Sequence, residues 1–216
     1  MMPGMKSNPV RNRTALTLLE VLAMTVVAAV LVGMVLPRLN RRPRHRPSCI
    51  NHLKQIGLAF RIFATDSGGL FPMKIPTHSF GSEEYVHGGN AFRHFLAVSN
   101  ELSSPKLLVC PQDKRAEATN WATLNNSHVS YFVGFDAAEE EPETILSGDR
   151  NVTNGTVPFG QVLVLRTNQP VGWTAEIHKH GGNVVFGDGH VDQLTSARLR
   201  ERLKAAGKAH QRVAIP

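Results

Sequence analysis

The 216-residue chain has no Gly-x-Ser-x-Gly elbow, no His-Glu-x-x-His helix and no phosphate-binding loop. Without these, the commonest hydrolase, zinc-protease and nucleotidase signatures are missing, and no enzyme is expected. The Gly-Gly-Asn triplets at residues 88–90 and 181–183 lack the strand-to-helix context that would make them phosphate sites. No internal repeat or long low-complexity segment occurs. The clustered arginines have no aromatic residues among them, so nucleic acid is not an expected partner. Only two cysteines are present, Cys49 and Cys110.

One apolar run stands out. Residues 16–36 contain a single ionisable side chain, Glu20. At ~1.5 Å per residue such a run, if helical, matches the ~30 Å hydrocarbon layer, so a transmembrane helix is expected over 16–36. It is too long for a removable signal, whose apolar part is ~7–15 residues, and no small-residue cleavage site follows it. The formal charge of +7 belongs to its flanks. Lys6, Arg11 and Arg13 precede it, and Arg38, Arg41, Arg42, Arg44 and Arg46 follow in a basic, proline-rich segment at 37–48; the rest of the chain is balanced. Anionic headgroups of a lipid bilayer are the natural partner of such cations, at about 1 kcal/mol each. The flanking count, five against three, by itself places the downstream side in the cytoplasm.

Pro37, Pro43 and Pro47 predict a helix kinked or broken between residues 38 and 48. Helical spacing then resumes, with Ile50, Leu53, Ile56, Phe60 and Phe63 on one stripe, ended by Asp66-Ser67-Gly68-Gly69. A short helix is expected over 91–98, an extended piece at "PKLLVCP" and a loop over 120–126. Apolar runs at "SHVSYFVGF", "ETILSGD", "GQVLVLR" and "GNVVFGDGHVDQL", separated by turn residues, read as an antiparallel sheet. In the last of these, Asp188-Gly189 predicts a hairpin turn with positive φ. "SARLRERLKAAG" predicts an exposed helix ended by Gly207.

Ala15-Leu16-Thr17-Leu18-Leu19-Glu20 follows a short basic leader and opens the apolar run. It resembles the prepilin cleavage and methylation motif of type IV pilins and type II secretion pseudopilins, with Ala15 where glycine is usual and Leu16 where phenylalanine is usual. His178, followed after nine residues by Asp188 and Gly189, resembles the C-terminal motif of many pseudopilin-like proteins, and "CINHLKQIGLAFRIFATD", "LLVCPQDK" and "ILSGDRN" agree with that group. The resemblance implies an α+β, pilin-like fold: a long N-terminal transmembrane helix, kinked after Pro37, and a small head with an antiparallel sheet. It divides the chain into a leader (1–15), a transmembrane and assembly helix (16–36), the basic segment (37–48) and a periplasmic head (49–216). It also implies cleavage after Ala15 by a prepilin peptidase, a methylated Leu16, and a single-pass inner-membrane location with the leader cytoplasmic and the C-terminal domain periplasmic. Further subunits and an inner-membrane assembly platform would be the partners. Glu20 would pair with the free amino group of a neighbouring subunit, which would compensate its desolvation. The expected function is a structural filament subunit. The alternative is a membrane-tethered periplasmic binding protein that does not polymerise, and an anchored hydrolase using the histidine-rich loops is a third reading.

Asp149, Asp188, His178, His180 and His190 offer carboxylate and imidazole donors, but their spacing fits no helix-borne zinc pattern. Major pseudopilins bind calcium through a C-terminal loop, so the resemblance makes Asp149 and Asp188 candidate calcium ligands; no other cofactor is expected. Cys49 and Cys110 are either a disulfide, possible in an oxidising periplasm, or two buried thiols. A disulfide closing roughly 60 residues would stabilise by about 4 kcal/mol on the chain-entropy argument.

Overall fold

The computed structural model describes residues 17–39, 45–155 and 161–216. It divides into two units, Met1–Pro43 and Arg44–Pro216.

In the first unit, α1 spans Leu18–Leu39. Thr17 caps it: its carbonyl and hydroxyl oxygens both accept from the Glu20 amide, at 3.0 and 3.3 Å. Glu20 then sits in the first turn, where a carboxylate complements the helix dipole. Every described side chain of α1, from residue 18 to 34, is exposed.

Two expectations are corrected here. The pilin-like architecture required a long N-terminal transmembrane helix kinked after Pro37, and the location required a single-pass inner-membrane protein. No helix among the described residues is long and apolar enough to cross a membrane. Counting through Glu20 overstated the run. Between Glu20 and Arg38 the apolar stretch is residues 21–36, which at ~1.5 Å each reaches about 24 Å, short of the ~30 Å layer. α1 runs past Pro37 to Leu39 and α2 begins at His45, so the interruption expected between residues 38 and 48 falls on residues 40–44, outside the described residues. The leader with Ala15, the adjoining Leu16, and residues 40–44 of the basic segment lie outside the described residues.

The second unit opens with α2, His45–Asp66, which carries Pro47 in its first turn, where no intrahelical amide bond is lost. Leu53, Ile56, Phe60 and Phe63 are buried along one stripe, as their spacing predicts, and Ile50 is half-buried. Among the described residues eight strands follow: β1 Tyr131–Gly134, β2 Ile145–Asp149, β3 Val152–Thr153, β4 Val162–Arg166, β5 Gly172–Trp173, β6 Gly181–Phe186, β7 Val191–Thr195 and β8 His210–Ala214. Six form an antiparallel sheet in the order β4-β8-β1-β2-β6-β7, and β3 pairs with β5 apart from it.

Both faces of this sheet are covered. Tyr131, Val133, Leu146 and Val185 join the core that contains the α2 stripe and Phe95 of α3, Ala91–Ala97. Phe132, Ile145, Val184 and Phe186 join a second core with Trp173 and with Leu199 and Leu203 of α4, Ser196–Ala205. The central strands β1 and β2 are therefore buried at every residue, including the polar Ser147 and Asp149 of β2. Gly57 sets how closely α2 lies on the sheet: a Cβ there would fall 2.6 Å from Cγ2 of Val185. Pro105–Leu108 is a 3-10 turn, not the extended piece expected, because Pro105 starts it and Ser104 caps it by accepting from the Lys106 amide.

Candidate functional site

The β1–β2 pairing sets Tyr131 opposite Asp149, and Asn183 on β6 lies against the other edge of β2. Asp149 is wholly buried. Its Oδ2 accepts from the Asn183 backbone amide at 2.6 Å and the Asn183 side-chain amide at 2.8 Å, and lies 3.3 Å from Nε2 of His178. No Lys or Arg pairs with Asp149 among the described ion pairs, and its Oδ1 has no hydrogen-bond partner. The Tyr131 hydroxyl is held well above its usual pKa, first by burial and then by the Asp149 and Asp113 carboxylates.

His178 reaches this core from an unusual backbone. His178, Lys179 and His180 are all left-handed, with φ of 57°, 51° and 65°. Each such residue costs about 1–2 kcal/mol without glycine, so the turn persists only because its surroundings fix it. Asn151 supplies one restraint: its Nδ2 donates to the carbonyls of Thr174, Ile177 and Gly181 at 3.0, 2.9 and 3.2 Å. The His178 ring supplies the other, packed against Asp149 and 3.4 Å from Sγ of Cys110.

Cys110 and Cys49 form a disulfide that joins α2 to the segment before β1, with Cα atoms 5.2 Å apart. Cys49 Sγ, Cys110 Sγ and His178 Nε2 all lie within 4.8 Å of one another and all three residues are buried. Above the cluster, Arg150 binds Asp113 with two hydrogen bonds, at 2.7 and 3.0 Å, and Glu176 at 2.6 Å, which ties the 110–115 and 174–178 segments together. Burial pushes the Asp113 carboxyl up, but the hydrogen bonds from Arg150 and its charge outweigh it and hold it below the usual range.

No family model matches the chain, and no curated protein or solved structure matches it significantly.

The residues singled out by sequence separate into distinct places. His178 and Asp149 come together with Cys49 and Cys110, although 29 to 68 residues divide the close contacts in sequence. Asp188 and Gly189 form the β6–β7 turn at the far end of β6, where Gly189 has φ of 88°. The nine residues between His178 and Asp188 are thus mostly the strand that separates a core anchor from a surface turn. Asp188 Oδ1 accepts from the backbone amide of His190 at 3.0 Å and contacts its Nδ1 at 2.5 Å. Slight burial raises the Asp188 carboxyl, but the His190 hydrogen bonds and charge outweigh it and keep it low. Asp149 and Asp188 flank opposite ends of β2 and share no site, so the two proposed calcium ligands are not brought together. His180 lies exposed, and Glu20 lies exposed on α1. Asn183, Asn151 and Tyr131, which complete the buried cluster, carry no signal of their own in the sequence.

Chemically, the cluster orders the chain. It is closed to solvent, and its polar groups hold one another and the 174–181 segment, which suits a structural role better than turnover.

Proposed function

We propose that the chain is a pilin-like structural subunit of a type II secretion or type IV pilus-like filament, assembled through its N-terminal helix and processed after Ala15 by a prepilin peptidase. The observation that carries this reading is α1, whose residues 18 to 34 are all exposed and, apart from Glu20 and Thr25, apolar. A surface helix that packs on its own domain shows one apolar stripe; a helix apolar all round needs neighbours all round. Several copies of the same helix, bundled together, meet that requirement where a single partner would leave faces uncovered. Glu20, one turn into the helix, supplies register: in a bundle its carboxylate is compensated only where a neighbour's amino group, freed at Leu16 by processing, lies beside it.

The pattern Ala15-Leu16-Thr17-Leu18-Leu19-Glu20 supports the processing step, and the mass of the native N-terminus tests it: loss of residues 1–15 with a methyl group on Leu16 is the expected result. Assembly is tested with a photocrosslinker at Val27 of the full-length chain. It should give a ladder of adducts, and Glu20→Ala should weaken that ladder by roughly tenfold, equivalent to about 1.4 kcal/mol. A wild-type chain that crosslinks to nothing of its own kind overturns the proposal.

A further inference from the structure

We infer that the buried Cys49–Cys110–His178 cluster is a second kind of staple in waiting: once its disulfide is reduced, it takes a divalent zinc-like ion through two thiolates and the His178 imidazole, with Asp149 as the fourth ligand. The inference is independent of filament assembly and rests on the head alone.

Geometry supports it first. Tetrahedral zinc with bonds of about 2.3 Å to sulfur and about 2.0–2.1 Å to nitrogen or oxygen has ligand-to-ligand edges of about 3.3–3.8 Å. Two such edges already stand in the protein: Cys110 Sγ to His178 Nε2 at 3.4 Å, and His178 Nε2 to Asp149 Oδ2 at 3.3 Å. Cys49 Sγ lies within 4.8 Å of both Cys110 Sγ and Nε2. Breaking the sulfur–sulfur bond lets the two sulfurs part to the remaining edge.

Electrostatics supplies a second observation. Asp149 is a fully buried carboxylate whose Oδ1 has no partner, and no Lys or Arg reaches it among the described ion pairs. The Asn183 side-chain amide, 3.2 Å from Nε2 and 2.8 Å from Asp149 Oδ2, stays bonded to the carboxylate and orients it. A cation between the sulfurs and Asp149 would compensate that charge where water cannot.

The exchange balances. A dithiol reductant passes two electrons to the Cys49–Cys110 bond and is itself oxidised to a disulfide. Each cysteine sulfur leaves as a thiol with one proton, and the divalent ion then displaces both protons. Disulfide and metal are therefore exclusive. The disulfide links two segments, α2 and the piece before β1, whereas the metal would link these and the left-handed turn at 178–180. All the donors are buried, as in closed structural zinc sites that keep no open position for substrate.

The test uses the full-length chain, reduced anaerobically with a dithiol and titrated with Co²⁺ alone. One equivalent should bind with thiolate-to-metal charge-transfer absorption, Zn²⁺ should displace it, and the oxidised chain should show neither effect. Asp149→Asn and His178→Ala each alter a direct ligand and should weaken binding by more than the 10–100-fold that a change in an outer-shell partner costs. Should these variants not fold, zinc-edge X-ray absorption of the loaded wild type decides: two sulfur neighbours support the site, and none or one overturns it. Failure of the reduced wild type to take up Co²⁺, or equal uptake by the oxidised chain, also overturns it, and leaves the filament reading untouched.

Discussion

Glu20 and Asp149 are both carboxylates set among apolar side chains, and they are handled in opposite ways. Asp149 lies at the end of β2 and receives its hydrogen bonds from the same head: two from Asn183, with His178 alongside. Glu20 lies on a helix whose described side chains, residues 18–34, are all exposed, and its own turn offers it a favourable dipole. Asp149 Oδ2 is thus held within its own chain although Oδ1 has no partner, while α1 exposes apolar side chains from residue 18 to 34.

The sharpest way to break this contrast is to make α1 polar. Replacing Leu22, Val26 and Val30 together by Gln should abolish self-association in sedimentation velocity and leave the thermal transition of the head in place. If the head melts with the association, the two regions are not independent. The next largest effect belongs to the covalent tie. Cys110→Ser opens a link across 61 residues and should cost the head about 4 kcal/mol in urea denaturation, without changing crosslinking through α1.

Asp149→Ala tests whether the head satisfies its own acid. It strands the Asn183 donors and the His178 ring in the core and should cost about 3 kcal/mol by the same measurement. Glu20→Ala, by contrast, should leave urea denaturation of the head unchanged.

The smallest effect is confined to acid. His94 is buried, hydrogen-bonded through Nδ1 to the Ser82 hydroxyl at 2.8 Å, and burial lowers its pKa from 6.5 to about 4. The unfolded chain therefore binds this proton first as pH falls. Its contribution is intact above 6.5 and is lost progressively between 6.5 and 4, by roughly 3 kcal/mol at most. His94→Gln should flatten the pH dependence of head unfolding across that window, and an unchanged slope would show that other groups set it.

Much of the head is legible in the sequence because period and burial agree. The α2 stripe shows the 3.6-residue repeat of a one-sided helix, and β1, β2 and β6 read as apolar runs bounded by turn residues. The β6–β7 hairpin follows from Asp188-Gly189. β8 is the clearest omission: His210, Gln211 and Arg212 read as polar chain, yet it lies inside the sheet between β4 and β1. Gln211 is buried there because its Oε1 accepts from the Ile145 amide at 2.8 Å, beside the register shift in β2, a long-range requirement with no local mark. The site is legible only in fragments. His178, Asp149, Cys49 and Cys110 each stand out singly, but their meeting depends on strand register and on a left-handed turn without glycine, which no spacing rule suggests. The membrane span is a simpler case: Glu20 divides the apolar run, and no helix among the described residues is long and apolar enough to cross a membrane.

The position of β8 has a consequence for synthesis. Strands β1, β2, β6 and β7 form one contiguous block, but β4 reaches them only through residues 210–214. A ribosome that has released everything up to α4 has therefore produced a sheet with a missing middle rung. β4 waits unattached until residues 210–214 emerge, so the sheet closes only after β8 has been made.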